Sequence, residues 1–306
     1  MENKILLETK SINKTIGKRK IIDNLSISVE QGDIYGFLGQ NGSGKTTTIR
    51  IITGLIFPDS GDIKICGYDL KTDFKNAISN IGAIVETPNF YTYLTAYDNL
   101  SLMANLIPGI KKGRVDEVLE MVGLNTRAKD LVKTYSLGMK QRLGIANALL
   151  GHPKLIILDE PTNGLDPQGM KDIKEIIVEL AAKEGITFFI SSHLLYELEQ
   201  ICNRVCIIKE GKLLAQGNVK ELLCSDNEVI EIGTQEIEKA INILTDLDFV
   251  KSVSKSDIGI MLKADKGYSS RVNKLLVTSD IPVESIVIHP NTLENYFFDV
   301  TQKEDK

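Results

Sequence analysis

A glycine-rich stretch near the start of the chain has the composition and spacing of a phosphate-binding loop. Residues 39–46, Gly-Gln-Asn-Gly-Ser-Gly-Lys-Thr, match the pattern G-x-x-x-x-G-K-[ST]. Glycines let the backbone turn back and aim its N–H groups at phosphate oxygens, and a helix that begins here adds a favourable dipole. The pattern predicts that Lys45 contacts the β- and γ-phosphates of a nucleotide and that the Thr46 hydroxyl ligates Mg²⁺. The other residues predicted to hold the nucleotide are Gly39, Asn41, Gly42, Ser43, Gly44 and Thr47.

Two carboxylates follow an apolar run later in the chain. Asp159 and Glu160 come directly after residues 155–158, Leu-Ile-Ile-Leu, which places them at the edge where a parallel sheet binds its ligands. Asp159 suits a contact to the water shell of Mg²⁺, and Glu160 suits a general base that deprotonates the water attacking the γ-phosphate. An apolar run before two acidic residues is a weak signal alone. The phosphate loop makes the catalytic interpretation the better one.

Both motifs need a parallel sheet to position them, and the chain from residue 5 to about 223 has the pattern of an α/β domain. Short apolar runs alternate with helical stretches along it. Four of these runs, at 34–38, 155–158, 186–190 and 205–208, are predicted to be buried central strands. Between Glu86 and Leu150 helical periodicity replaces the strand signal. We therefore expect a helical insertion at about residues 87–150.

A different pattern begins after about residue 223. Residues 224–227 are polar and predict a linker. The segment that follows has the pattern of a strand, a helix, two strands, a helix and a strand, which is the element order of the ferredoxin-like arrangement. The sequence thus predicts a nucleotide-binding domain at residues 1–224 and a small α+β domain at residues 225–306.

Composition and charge predict a folded protein without a membrane span of its own. Hydrophobic residues make up 42% of the chain and charged residues 25%, which is ordinary globular usage. The formal net charge of -5 and the scattered basic residues give no reason to expect a nucleic-acid partner. No apolar run reaches the roughly 18 residues that cross a bilayer. The four cysteines lack paired C-x-x-C spacing, which predicts reduced thiols in the cytoplasm.

Taken in order, these motifs resemble those of the ATP-binding subunits of ABC transporters, over about residues 5–223. Residues 135–141 resemble the family's signature loop, residues 164–166 resemble the loop at its dimer interface, and His193 resembles its switch histidine, which contacts the γ-phosphate. The resemblance implies a P-loop NTPase fold, hydrolysis of ATP with Mg²⁺ and a head-to-tail dimer that encloses two ATP molecules. In that dimer Ser136 and the backbone of Gly138 would reach the γ-phosphate held by the opposite subunit.

Two residues depart from the family pattern. Ile16 stands where most members carry a tyrosine that stacks on adenine, and it can give the base only apolar contact. The preference for ATP over GTP is therefore open. Glu86 stands where the family has a glutamine, and we expect it near the γ-phosphate, where it would sense Mg²⁺. A glutamate there, like residues 291–298, resembles the exporter ATPases that give self-protection against bacitracin and lantibiotics.

The resemblance thus implies the ATP-hydrolysing subunit of an exporter of antibiotic peptides or drugs. It would be cytoplasmic and held at the inner face of the membrane by an integral membrane permease. A soluble ABC-type ATPase of nucleic-acid or assembly processes is the alternative, but the chain has neither the long coiled coil nor the second cassette of such proteins. A nucleotide sensor without hydrolysis conflicts with the presence of Glu160. The sequence leaves open the cargo, its direction and the number of permease chains.

Overall fold

The computed structural model describes residues 4–224 and 226–297 of the 306-residue chain. These residues form two compact units, one that ends at Val219 and one that begins at Lys220. The division therefore falls slightly before the domain boundary predicted after residue 224. Among the helices of the described ranges, none combines the length and the hydrophobicity that crossing a membrane requires.

The first unit alternates strands and helices. In chain order its elements are β1 (Ile5–Ile16), β2 (Arg19–Glu30), β3 (Ile34–Leu38), α1 (Lys45–Ile52), β4 (Ser60–Ile65), β5 (Tyr68–Asp69), α2 (Phe74–Ile78), β6 (Ile81–Ile84), α3 (Ala96–Ala104), α4 (Arg114–Met121), α5 (Leu137–Leu149), β7 (Leu155–Asp159), α6 (Pro167–Glu184), β8 (Thr187–Ser192), α7 (Leu195–Glu199), β9 (Arg204–Lys209) and β10 (Lys212–Asn218). Two short 3₁₀ turns, Asn125–Arg127 and Val132–Thr134, lie between α4 and α5.

A six-stranded sheet in the order β10-β9-β3-β8-β7-β6 positions the motifs. All its neighbouring pairs are parallel except β10 with β9. Every residue of β3, β7 and β8 is buried, as expected for strands covered on both faces. The four predicted central strands are confirmed as β3, β7, β8 and β9. Because β8 lies between β3 and β7, the loops that leave these three strands meet at one edge of the sheet.

A second sheet and helix α1 complete the core of the first unit. This sheet is antiparallel, with the strand order β2-β1-β4-β5. One core cluster joins its side chains to Ile49 and Ile52 of α1, Phe37 of β3 and Ile157 of β7. Fully burying one such side chain stabilises the fold by about 1.5–3 kcal/mol. The anchored helix α1 therefore gives the phosphate loop in front of it a rigid base.

The predicted helical insertion is confirmed between β6 and β7. Residues 87–150, all of which the structure describes, contain helices α3, α4 and α5 but no strand. Helix α5 begins after Ser136, whose hydroxyl accepts a hydrogen bond from the Met139 N–H at 3.2 Å. A serine in this capping position satisfies a backbone donor that the first turn would leave unpaired.

The second unit has the predicted ferredoxin-like arrangement. Its elements are α8 (Val219–Leu223), which spans the division between the units, β11 (Asn227–Gly233), α9 (Ile237–Thr245), β12 (Val250–Lys255), β13 (Gly259–Asp265), α10 (Ser269–Thr278) and β14 (Ser285–His289). The strands pair antiparallel in the order β12-β13-β11-β14. Residues 293–297 are helical, while residue 298 of the predicted C-terminal helix lies outside the described residues. Ile230, Leu244, Leu262 and Leu276 belong to a core within this unit.

Since the second unit has a core of its own, we predict that the first unit folds without it. A chain that stops after Leu223 should stay soluble, bind ATP and melt within a few degrees of the full chain. Nucleotide binding and thermal melting measure this. A chain that stops after Ile190 is the negative control, because it lacks β9 and β10 of the central sheet. Aggregation of the longer truncation, or loss of its ATP binding, would show that the domain boundary is wrong.

Candidate active site

The loop between β3 and α1 owes its shape to glycines. Gly42 and Gly44 have φ angles of 80° and 107°, a region that residues with a side chain rarely adopt. A Cβ atom on Gly39 would lie 2.4 Å from Ser43 Oγ and 2.8 Å from the backbone oxygen of Ile208. Only glycine therefore fits at residue 39, and the backbone turns tightly before helix α1 begins at Lys45.

The loop borders a cavity of about 480 Å³ that joins three strand ends. Helix α1 directs its N-terminus towards this region, which favours negative charge. Most of the predicted site residues line the cavity, together with three that the sequence analysis missed. The lining residues are Arg19, Ile21, Asn41, Gly42, Gly44, Lys45, Thr46, Thr47, Glu160, Asn163 and His193.

Lys45 is a buried cation held by three acceptors. Its side chain is 6% exposed. Its Nζ donates to the backbone oxygen of Gly39 at 2.7 Å and to that of Gln40 at 3.3 Å, and lies 3.2 Å from Glu160 Oε1. An ammonium group has three donors, so the protein occupies all of them. A nucleotide phosphate must replace at least one of these acceptors to reach Lys45.

Glu160 lies between Lys45 and His193. Its Oε2 is 2.7 Å from His193 Nδ1 and also accepts a hydrogen bond from the His193 backbone N–H at 3.4 Å. The backbone of Glu160 has a φ of 48°, which is uncommon for a residue other than glycine. Its N–H donates to Ser191 Oγ at 3.0 Å and to Ser191 O at 3.2 Å. These bonds hold the carboxylate towards the cavity.

Two side chains at the site each have an oxygen atom that bonds to none of the described residues, and these oxygens suit phosphate and Mg²⁺. Ser43 Oγ is buried without a hydrogen-bond partner in the described part of the chain, and a phosphate oxygen at the loop would satisfy it. Asp159 is 4% exposed, and its Oδ1 accepts a bond from Ser191 Oγ at 2.6 Å. None of the described residues donates to its Oδ2. A carboxylate and the Thr46 hydroxyl suit Mg²⁺ that is bound together with phosphate oxygens.

Seven predicted residues do not line the cavity: Gly39, Ser43 and Asp159 adjoin residues that do, and the other four lie elsewhere. Ser136 caps the N-terminus of helix α5 and Gly138 lies in its first turn, and their role in an opposite subunit stays a prediction. Ile16 ends β1 opposite Arg19 and is 52% exposed. Glu86 is exposed, has a φ of 64° and forms an ion pair with Arg50 of α1. The structure thus directs Glu86 towards helix α1 rather than into the cavity, so its expected contact with Mg²⁺ has no support in the geometry.

The three residues that the sequence analysis missed have different origins. Asn163 follows Glu160 closely, so its place near the carboxylates could have been inferred from the loop. Arg19 and Ile21 carry no motif. They reach the cavity because the β1–β2 hairpin turns beside the phosphate loop. A Cβ atom placed on Gly44 would lie 3.0 Å from the backbone oxygen of Ile21. Only the tertiary structure reveals that approach.

Comparisons with known proteins agree with this geometry. Residues 22–163 match the family model described as ABC transporter. The chain is 45% identical to the bacitracin transport ATP-binding protein BcrA of Bacillus licheniformis, over 95% of this chain and 96% of that protein. It is 41% identical to the lantibiotic transport ATP-binding protein SrtF of Streptococcus pyogenes, over 69% of this chain and 90% of that one.

A solved structure shows the same likeness. The dimeric post-hydrolysis state of the ATP-binding cassette MJ0796, bound to ADP and Pi, superposes with a TM-score of 0.62 at 25% identity. The match covers 70% of this chain and 99% of that one. The likeness to BcrA therefore extends further along the chain than the likeness to this single cassette.

Proposed function

This chain belongs to the ATP-binding subunits of ABC transporters, which hydrolyse ATP, and on that premise we propose that it drives export of antibiotic peptides or drugs and so protects its cell. The observation that carries the proposal is the 45% identity to a bacitracin transport ATP-binding protein, which includes the C-terminal unit. The likeness to a lantibiotic transport ATP-binding protein supports the same class of cargo.

The cavity has the groups that ATP hydrolysis requires. The phosphate loop and the α1 N-terminus bind the phosphates, and Lys45 contacts their outer oxygens. Thr46 and Asp159 would hold Mg²⁺, which would neutralise phosphate charge. Glu160 accepts a proton from the attacking water, and His193 keeps the Glu160 carboxylate in place and contacts the γ-phosphate. Lys45, Asp159, Glu160 and His193 thus have distinct roles in this assignment.

The proposal also includes partners. The solved cassette MJ0796 is dimeric with ADP and Pi bound, which supports a dimer of this chain. In the proposed dimer the subunits are arranged head-to-tail, and Ser136 and Gly138 complete the site of the opposite subunit. A separate integral membrane permease would hold this dimer at the cytoplasmic face of the membrane. ATP binding would close the dimer, and hydrolysis would reopen it.

A resistance assay in the native host tests the transport function. Deleting the gene should lower the concentration of bacitracin or of a lantibiotic that stops growth, and the unmodified gene should restore it, whereas a gene carrying Glu160→Gln should not. The tagged chain purified from detergent-solubilised membranes should carry a multi-span membrane protein, which mass spectrometry identifies. Unchanged resistance to both classes of peptide, with no membrane protein bound, would refute the proposal.

Glu86 provides a separate prediction about coupling to the permease. It links helix α1, through Arg50, to the start of the helical insertion. Since Glu86→Gln removes the charge at nearly constant shape, isolated ATPase activity should stay within a few-fold while antibiotic resistance falls. ATPase rate and resistance in cells are measured together. Asp130→Asn is the matched control, because it removes a partly exposed carboxylate that forms an ion pair with Arg127 inside the insertion.

A glutamine variant that matches the unmodified protein in both assays would show that Glu86 has no part in coupling. Equal loss of resistance in the Asp130→Asn control would attribute the effect to general damage of the insertion. Either result removes the argument from Glu86 for peptide export, but leaves the likeness to BcrA intact.

A further inference from the structure

Ser191 contacts both acidic residues of the site through one hydroxyl. It is fully buried near the end of β8, beside the end of β7. Its Oγ donates to Asp159 Oδ1 at 2.6 Å and accepts a hydrogen bond from the Glu160 N–H at 3.0 Å. A hydroxyl has a single donor, so this one is committed to Asp159. The two adjacent carboxylates with different chemical roles thus share one partner.

The contact to Glu160 supports an unfavourable backbone conformation. Glu160 has a φ of 48°, and residues of this kind persist only where their surroundings hold them. Both acceptors of its N–H belong to Ser191, namely the hydroxyl and the backbone oxygen. The direction of the Glu160 side chain, towards Lys45 and His193, follows from this backbone conformation. Removing the hydroxyl would leave only the 3.2 Å bond to the carbonyl.

The contact to Asp159 sets the orientation of a carboxylate. The Ser191 hydroxyl occupies Oδ1, and it is the one group in residues 4–224 and 226–297 that donates a hydrogen bond to this side chain. Oδ2 is therefore the oxygen left for a cation. A buried carboxylate with a single partner depends on that partner for its side-chain conformation.

We propose that Ser191 is a positioning residue that orients Asp159 towards Mg²⁺ and Glu160 towards the attacking water with one hydroxyl group. The inference rests on the ATP-hydrolysing role of the site and does not depend on what is transported. It predicts that metal dependence and turnover fail together when the hydroxyl is removed. Binding of the nucleotide phosphates to the loop should persist, because the Ser191 hydroxyl bonds Asp159 and Glu160 rather than residues of the phosphate loop.

The test compares Ser191→Ala, Ser191→Thr and Ser192→Ala in the full-length chain. Ser192 is the matched control because it is adjacent and 1% exposed, but its hydroxyl accepts from the Leu194 N–H and contacts neither carboxylate. ADP binding is measured by calorimetry with Mg²⁺ and with EDTA, and ATPase rate is measured against Mg²⁺ concentration. Melting temperatures establish that each variant is folded.

We expect Ser191→Ala to lower kcat by about 10- to 100-fold, the scale of a misplaced catalytic group. The Mg²⁺ concentration for half-maximal rate should rise about fivefold or more, and the gain in ADP affinity on adding Mg²⁺ should shrink. ADP affinity in EDTA should stay within twofold. Ser191→Thr, which restores the hydroxyl, should recover most of both properties, and Ser192→Ala should keep the Mg²⁺ dependence.

Unchanged Mg²⁺ dependence and turnover in folded Ser191→Ala would overturn the proposal. So would an equal change in Ser192→Ala, or an equal loss of ADP binding in EDTA, because both indicate general damage to the site. If Ser191→Thr does not fold, the Mg²⁺-dependent part of ADP binding in Ser191→Ala decides alone. An active ATPase that gives no antibiotic resistance would refute the proposed transport function and leave the role of Ser191 standing.

Discussion

Glu160→Gln should reduce ATP turnover by at least about a hundredfold, since a positioned general base contributes roughly 10²–10⁴ to the rate. The amide keeps the shape of the side chain and an oxygen for Lys45, but it cannot accept the proton of the attacking water. ATP binding should persist, because the phosphate loop is untouched. With hydrolysis blocked, the ATP-bound dimer should accumulate and elute earlier from a sizing column.

The control for this substitution is Glu210→Gln. Glu210 also has a left-handed backbone, with a φ of 49°, but it is an exposed residue that follows β9. Its replacement tests whether a glutamine in that conformation harms the protein by itself, and we expect normal turnover. Steady-state ATPase rates and ATP binding are measured for both variants. Normal turnover in Glu160→Gln would mean that another group activates the water.

The elements that position the site could be predicted from the sequence because their patterns are local. Buried parallel strands require continuous apolar runs, and β3, β7, β8 and β9 lie where such runs occur. The fold of the second unit could be predicted from its element order, because few sheet topologies allow the order β-α-β-β-α-β with short connections. Neither inference needed a contact between distant residues.

The details of the cavity depended on contacts that no local pattern encodes. Arg19 and Ile21 line the cavity because the pairing register of β1 and β2 places them there. The pair between Glu86 and Arg50 joins residues that lie far apart in the sequence. A resemblance predicted that position 86 matters, but it could not predict which way the glutamate side chain points. Likewise, no local sequence pattern predicts the left-handed backbone of Glu160, whose N–H bonds to the distant Ser191.

Lys45→Met should weaken ATP binding by about a hundredfold, or roughly 2.7 kcal/mol. Part of this loss is direct, because the ammonium no longer contacts the phosphates. The rest is repulsion, since Lys45 Nζ lies 3.2 Å from Glu160 Oε1 and its removal leaves that carboxylate uncompensated beside a triphosphate. A like charge without an intervening cation disfavours the bound anion. Affinity for ATP is measured in EDTA, where no Mg²⁺ compensates the charge.

If the Glu160 carboxylate repels the phosphates, the effects of Lys45→Met and Glu160→Gln on ATP affinity should not be additive. Because Glu160→Gln removes the repelling charge, the double variant Lys45→Met with Glu160→Gln should bind ATP about tenfold more tightly than Lys45→Met alone, a coupling of about 1.4 kcal/mol. Combining Lys45→Met with Glu179→Gln provides the control, because Glu179 is an exposed residue of α6 that pairs with Lys183. That pair of substitutions should add independently. If the Glu160 pair is also additive, the carboxylate does not oppose the phosphates, and Lys45 acts on the nucleotide by direct contact only.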